Sequence, residues 1–140
     1  MPAYDHIDAF DTTVHKTYEW INDLNRELDL GNRRRSYEIL RAFLHALRDR
    51  TTVEEVAQLG AQLPMLMRGF YYEGWDPTDK PDKMDAEQFL DYVRTKGFVP
   101  KADVEESVKA AMKVLREHIS EGEVNQVVGT LPKDIQRVLH

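Results

Sequence analysis

Phe10, Val14, Tyr18, Ile21, Leu24 and Leu28 recur at steps of three and four, which predicts one buried stripe along a helix ending near Gly31. Tyr37, Leu40, Leu44 and Leu47, with Phe43 beside them, repeat that spacing and predict a second helix from about Asn32 to Arg50. Thr52 and Glu55 form a capping-box pattern, in which the hydroxyl accepts from the third helical N–H and the glutamate reaches back to the cap's own N–H. It opens a short helix expected to bury Val53, Val56 and Leu59. Pro64 has no N–H to continue that helix, so the chain should stop near Leu63 and restart with proline in the first turn of a helix carrying Leu66, Met67, Phe70 and Tyr71.

From Glu73 to Lys83 two prolines and a glycine forbid a regular element, and this stretch reads as the linker. Beyond it Ala86, Phe89, Leu90 and Val93 lead to Gly97, and Val104, Val108, Ala111, Met112 and Leu115 give another helix. A second capping pattern follows at Ser120 and Glu123, then Leu131-Pro132 and Ile135, Val138 and Leu139. No strand pattern competes anywhere. Residues 36–72 set over 104–140, at a fixed offset of 68 and without a gap, give nine identities among 37 pairs. Chance predicts about two, and caps, prolines and core positions repeat together. The expected fold is therefore all-α: a compact bundle of about eight short helices in one domain, residues 1–140. It is read as two pseudo-symmetric four-helix units, about 9–72 and 84–140, joined by 73–83.

The runs His45 to Arg50, Ala57-Gln58-Leu59-Gly60-Ala61-Gln62-Leu63-Pro64 and Arg68-Gly69-Phe70-Tyr71-Tyr72-Glu73-Gly74-Trp75 are similar to the bacterial and archaeal family known as domain of unknown function 2267. Glu87-Gln88-Phe89-Leu90 and Leu131-Pro132 resemble that family's second half. The resemblance spans about residues 10–140. It implies an all-helical prokaryotic domain of uncharacterised role, and it brings no catalytic or binding residues with it.

Composition narrows the chemistry. There is no cysteine, which removes disulfides, thiolate catalysis and cysteine metal sites together. Nineteen basic against 25 acidic side chains give a net charge of −6, so long-range electrostatics repel nucleic acid and anionic membrane, and neither is an expected partner. No apolar stretch approaches the ~20 residues that span a bilayer. The start, Met1-Pro2-Ala3-Tyr4-Asp5-His6, lacks the regions of a signal peptide, so the expected address is the cytoplasm.

Asp11, His15 and Glu19 share one helix face and could line up on a divalent metal, but acids in a first turn with a solvated histidine between them explain the pattern better. No metal or cofactor is expected. Ser36, Ser107 and Ser120 fall at caps or first turns, and glycine-rich phosphate loops are absent, so the case for an enzyme is weak. Arg33, Arg34 and Arg35 are three cations at a helix N-terminus, where they oppose the helix dipole; they mark a candidate anion site or a set of surface ion pairs with acids such as Asp29 or Glu38. Tyr72 and Trp75 have no apolar counterpart in the second unit, and they either lock the linker down or anchor a partner. Arg48 and Arg116, each followed by an acid, read as structural charge pairs at helix ends. Two functions remain: a non-enzymatic interaction or regulatory module that binds a protein or itself, and a binder of a small anionic ligand near Arg33, Arg34 and Arg35.

Overall fold

A computed structural model describes residues 6–140; the reading of the first five residues as lacking a signal sequence lies outside them. Eight α-helices follow one another: α1 Asp8–Glu27, α2 Arg33–Arg50, α3 Val53–Gln62, α4 Met65–Tyr72, α5 Ala86–Gly97, α6 Val104–His118, α7 Glu121–Gly129 and α8 Lys133–Leu139. A single 3₁₀ turn at Lys101–Asp103 leads into α6, and no strand occurs among the described residues.

The helix limits fall where the local chemistry puts them. Asn32, Thr52 and Ser120 accept from the backbone N–H three residues on and so start α2, α3 and α7. Asp85 and Gln88 satisfy each other's backbone in a complete capping box at α5. Pro64 and Pro132 turn the chain from α3 into α4 and from α7 into α8, with Leu63 and Leu131 buried at the corners. Val53 and Glu121, and likewise Met65 and Lys133, are helix starts 68 positions apart; Arg50 and His118 are helix ends at the same spacing.

The core is one continuous cluster. Helix α2 runs through its middle, with Leu40, Phe43, Leu44 and Leu47 fully enclosed, and packs along α5, α1 and α4. Val108, Met112 and Leu115 of α6 join it from the other side, and Leu59, Met67, Tyr71, Val127 and Ile135 close it below. Two glycines permit close fits. Gly97 presses on Ala42 of α2, and Gly60 faces Tyr72, whose hydroxyl lies 2.6 Å from where a Cβ at position 60 would stand.

Three expectations need correction. Phe10, Val14 and Tyr18 are exposed, not buried; on α1 the core begins at Thr17 and Trp20, because the first turns extend past the bundle. Val53, expected in the core, is likewise exposed. The capping boxes at Thr52 and Ser120 are half made: each hydroxyl accepts its N–H, but Glu55 and Glu123 turn inward to one another and do not reach back.

Candidate functional site

The exposed stripe of α1 borders an open depression in the surface. Val14, Thr17, Tyr18 and Ile21 form one wall, Arg33, Arg34 and Tyr37 of α2 the other, and Leu66, Gly69 and Phe70 of α4 the floor, enclosing about 820 Å³. Helix α4 is held under the overhanging turns of α1 by a bond from the Leu66 N–H to the Thr13 hydroxyl, 2.8 Å. Gly69 adds no side chain to the floor, and Tyr37 meets Phe70 edge to face with ring centres 5.2 Å apart. Ile7 and Phe10 continue the apolar stripe of α1 beyond the groove, 52% and 58% exposed, and Met65 at the start of α4 is exposed as well. Apolar surface that is contiguous and rimmed by polar groups marks interaction sites.

The three arginines part company as the helix turns. Arg35 bonds Glu38 at 3.0 Å and donates to the carbonyls of Gly97 and Phe98 at 2.8 and 2.9 Å, so it caps the C-terminal end of α5. Arg33 lies over the Tyr18 ring, 4.8 Å from its centre. Arg34 has no carboxylate within bonding distance among the described residues, and neither has Arg33. No acid occupies the first turn of α2, so its N-terminal dipole adds to this positive end of the groove. Glu73, at the other edge, is already neutralised by Arg41 at 2.6 Å. The site is an apolar trough with an unbalanced positive end.

A second polar cluster lies at the end of α2 and joins residues that sequence spacing could not connect. Arg48 and Asp49 are both buried; the guanidinium bonds the carboxylate at 2.8 and 3.2 Å and caps α4 through the carbonyls of Tyr71 and Glu73. Tyr92 donates to Asp49 at 2.8 Å, and Lys80 approaches to 3.9 Å. Burial alone would raise the Asp49 carboxyl, but the Arg48 and Tyr92 bonds and the Arg48 and Lys80 charges outweigh it and hold the pKa below the ordinary range. His45 is pushed down to about 4, chiefly by burial, so the neutral ring donates its Nε2–H to the Phe70 carbonyl 2.7 Å away. With Asp82 N–H on the Asp49 carbonyl and Arg50 on that of Met84, the cluster fastens residues 73–85 to α2. Its members hold backbone and each other, an anchoring role.

Glu55 and Glu123 form the third site. Both are buried between α3 and α7, close enough for their carboxyls to act on one another, and each leaves its Oε1 buried without a partner. Burial first, and then the neighbouring Glu55 carboxyl, push Glu123 up to about 7. The Glu123 carboxyl therefore keeps its proton to higher pH than an ordinary carboxyl. The one hint in the sequence is their alignment at the 68-residue offset.

Tyr72 and Trp75 are half-buried and pack on each other, ring centres 5.7 Å apart, with the Trp75 Nε1 buried and unbonded. His15 pairs with Glu19 at 2.9 Å and Asp11 with His6 at 3.4 Å, all exposed, so Asp11, His15 and Glu19 do not converge. The Ser36 and Ser107 hydroxyls bond backbone carbonyls and Ser120 caps α7. No described helix is long and apolar enough to cross a membrane.

These features define an all-helical domain with an open apolar groove and buried polar groups that act as fasteners. The chain belongs to the family described as an uncharacterized conserved protein, DUF2267, whose model matches residues 17–138. Among curated proteins no match to the chain is found.

Proposed function

We propose that this domain is a non-enzymatic interaction or regulatory module of the cytoplasm, working by holding an apolar segment with acidic flanks in the groove between α1, α2 and α4. One observation carries the reading: Arg33 and Arg34 have no carboxylate partner among the described residues and stand beside an exposed apolar trough. Charge complementarity selects an acidic occupant and the floor selects an apolar one. The domain itself is read as two copies of one four-helix unit, supported by helix limits 68 residues apart.

The unneutralised pair also favours a second reading, a small anionic ligand at this end of the groove. Of the three arginines in the run, Arg33 and Arg34 face the groove while Arg35 is bound to α5.

Anilinonaphthalene sulfonate, an apolar dye with one anionic group, tests the docking reading in dilute protein. Saturable binding is expected, weakened about tenfold by Arg34→Glu and more by Leu66→Asp. Affinity unchanged in both variants overturns it. Inorganic phosphate that raises the melting temperature of the wild type but not of Arg33→Glu/Arg34→Glu would favour the small anion instead.

A further inference from the structure

We propose that the occupant of the groove is the first half of α1 from a second copy of this chain, giving a two-fold symmetric dimer; this rests on the docking reading. The occupant must be a helix or strand with an apolar face and acids placed to meet Arg33 and Arg34. The first half of α1 has that composition: Ile7, Phe10, Val14 and Tyr18 lie exposed on one side, and Asp8 and Asp11 sit in its first turn. It also forms a wall of the groove, so the surface is complementary to itself, as an isologous interface requires.

The spacing works along the helix. Let two antiparallel copies of α1 cross at Val14. At about 1.5 Å of rise per residue, positions 7 and 21 then lie about 10 Å to either side of the crossing point. The partner's Phe10 meets Tyr18, and the partner's Ile7 meets Ile21, both of which line the groove. The partner's Asp8 and Asp11 come to the level of positions 20 and 17 along the axis, within a turn of Tyr18, over whose ring Arg33 lies. The apolar side chains open on the first half of α1 are covered, and the two arginines gain carboxylates that no described residue of their own chain offers them. The net charge of −6 on each copy disfavours a partner met at random, so local pairing of opposite charges must supply register.

Sedimentation equilibrium of the wild type is expected to give a dimer. Phe10→Asp/Val14→Asp should give a monomer with unchanged helix content by circular dichroism. Arg33→Glu/Arg34→Glu should raise the dissociation constant at least about tenfold, and adding Asp8→Lys/Asp11→Lys to that variant should restore association, since the charges are exchanged across the two-fold. A wild type that stays monomeric while still binding the dye in its groove overturns the dimer and leaves the docking reading standing. A monomer that does not bind the dye overturns both. Association insensitive to Phe10→Asp/Val14→Asp, or a charge exchange that fails to restore it while helix content is kept, also overturns the proposal.

Discussion

Helices α2 and α6 end on the same pair, an arginine followed by an acid, and the two pairs have opposite fates. Arg48 and Asp49 are buried, bonded to each other and to the ends of α4 and the segment beyond it. Arg116 is exposed, its nearest polar contact the ring of His140 at 3.4 Å, and Glu117 is exposed as well. The difference comes from neighbouring chain. Residues 73–85 fold back over α2 and close Arg48 in, whereas no described segment folds over Arg116. Like sequence at like position acquires its role from the neighbour that buries it.

The largest test of this contrast is truncation of each arginine. Arg48→Ala strands a buried Asp49 and is expected to cost about 3–5 kcal/mol, while Arg116→Ala should stay within about 0.5 kcal/mol, both read by chemical denaturation. Equal losses would erase the distinction. Where the two halves share a feature they should instead respond alike: Leu63→Ala and Leu131→Ala remove the buried leucine before each proline corner and should each cost about 2–5 kcal/mol. If one of them were neutral, the corners would not be equivalent.

A smaller effect joins the halves. Glu123 has its pKa raised to about 7 in the folded chain against 4.5 as the ordinary value, so the native state holds the proton more tightly. Stability from this pair is fully present below the ordinary value and is lost as pH rises through about 7. Wild-type unfolding free energy is expected to fall over that window. Glu123→Gln keeps a donor for Glu55 without a titrating proton and should flatten the profile and be the more stable chain at pH 8. A wild-type profile that rises over that window would show that the pair is not protonated.

Helix limits are legible in the sequence because they depend on residues within a turn of each other: Asn32, Thr52, Ser120 and the two prolines act locally. The stripe of α1 is equally legible, but its burial is not. Period alone shows that Phe10, Val14 and Tyr18 share a face, and it cannot say where along a helix of 20 residues the core stops. The arginine run reads as one cluster, yet adjacent helical residues point about 100° apart, so Arg35 leaves for α5 while Arg33 and Arg34 stay with the groove. His45, Asp49, Lys80 and Tyr92 meet through folding of segments far apart in the chain, and no spacing rule reaches that distance. Glu55 and Glu123 read as caps because each lies three residues after a hydroxyl; burial between α3 and α7 overrides the local preference.

Gly60 carries a consequence for how this sequence can change. Replacing an interior helical glycine by alanine ordinarily gains up to about 1 kcal/mol. Here the added methyl would meet the Tyr72 hydroxyl at 2.6 Å, and the ring behind it is held between Tyr71 and Trp75. Gly60→Ala should therefore lose stability by itself and recover it in combination with Tyr72→Leu, a coupling that a double-mutant cycle measures. Positions 60 and 72 are thus bound to vary together: a side chain at one demands a retreat at the other. At the 68-residue offset the same two places hold Val128, in α7, and the exposed His140, a pairing with no tyrosine for the larger helix residue to meet.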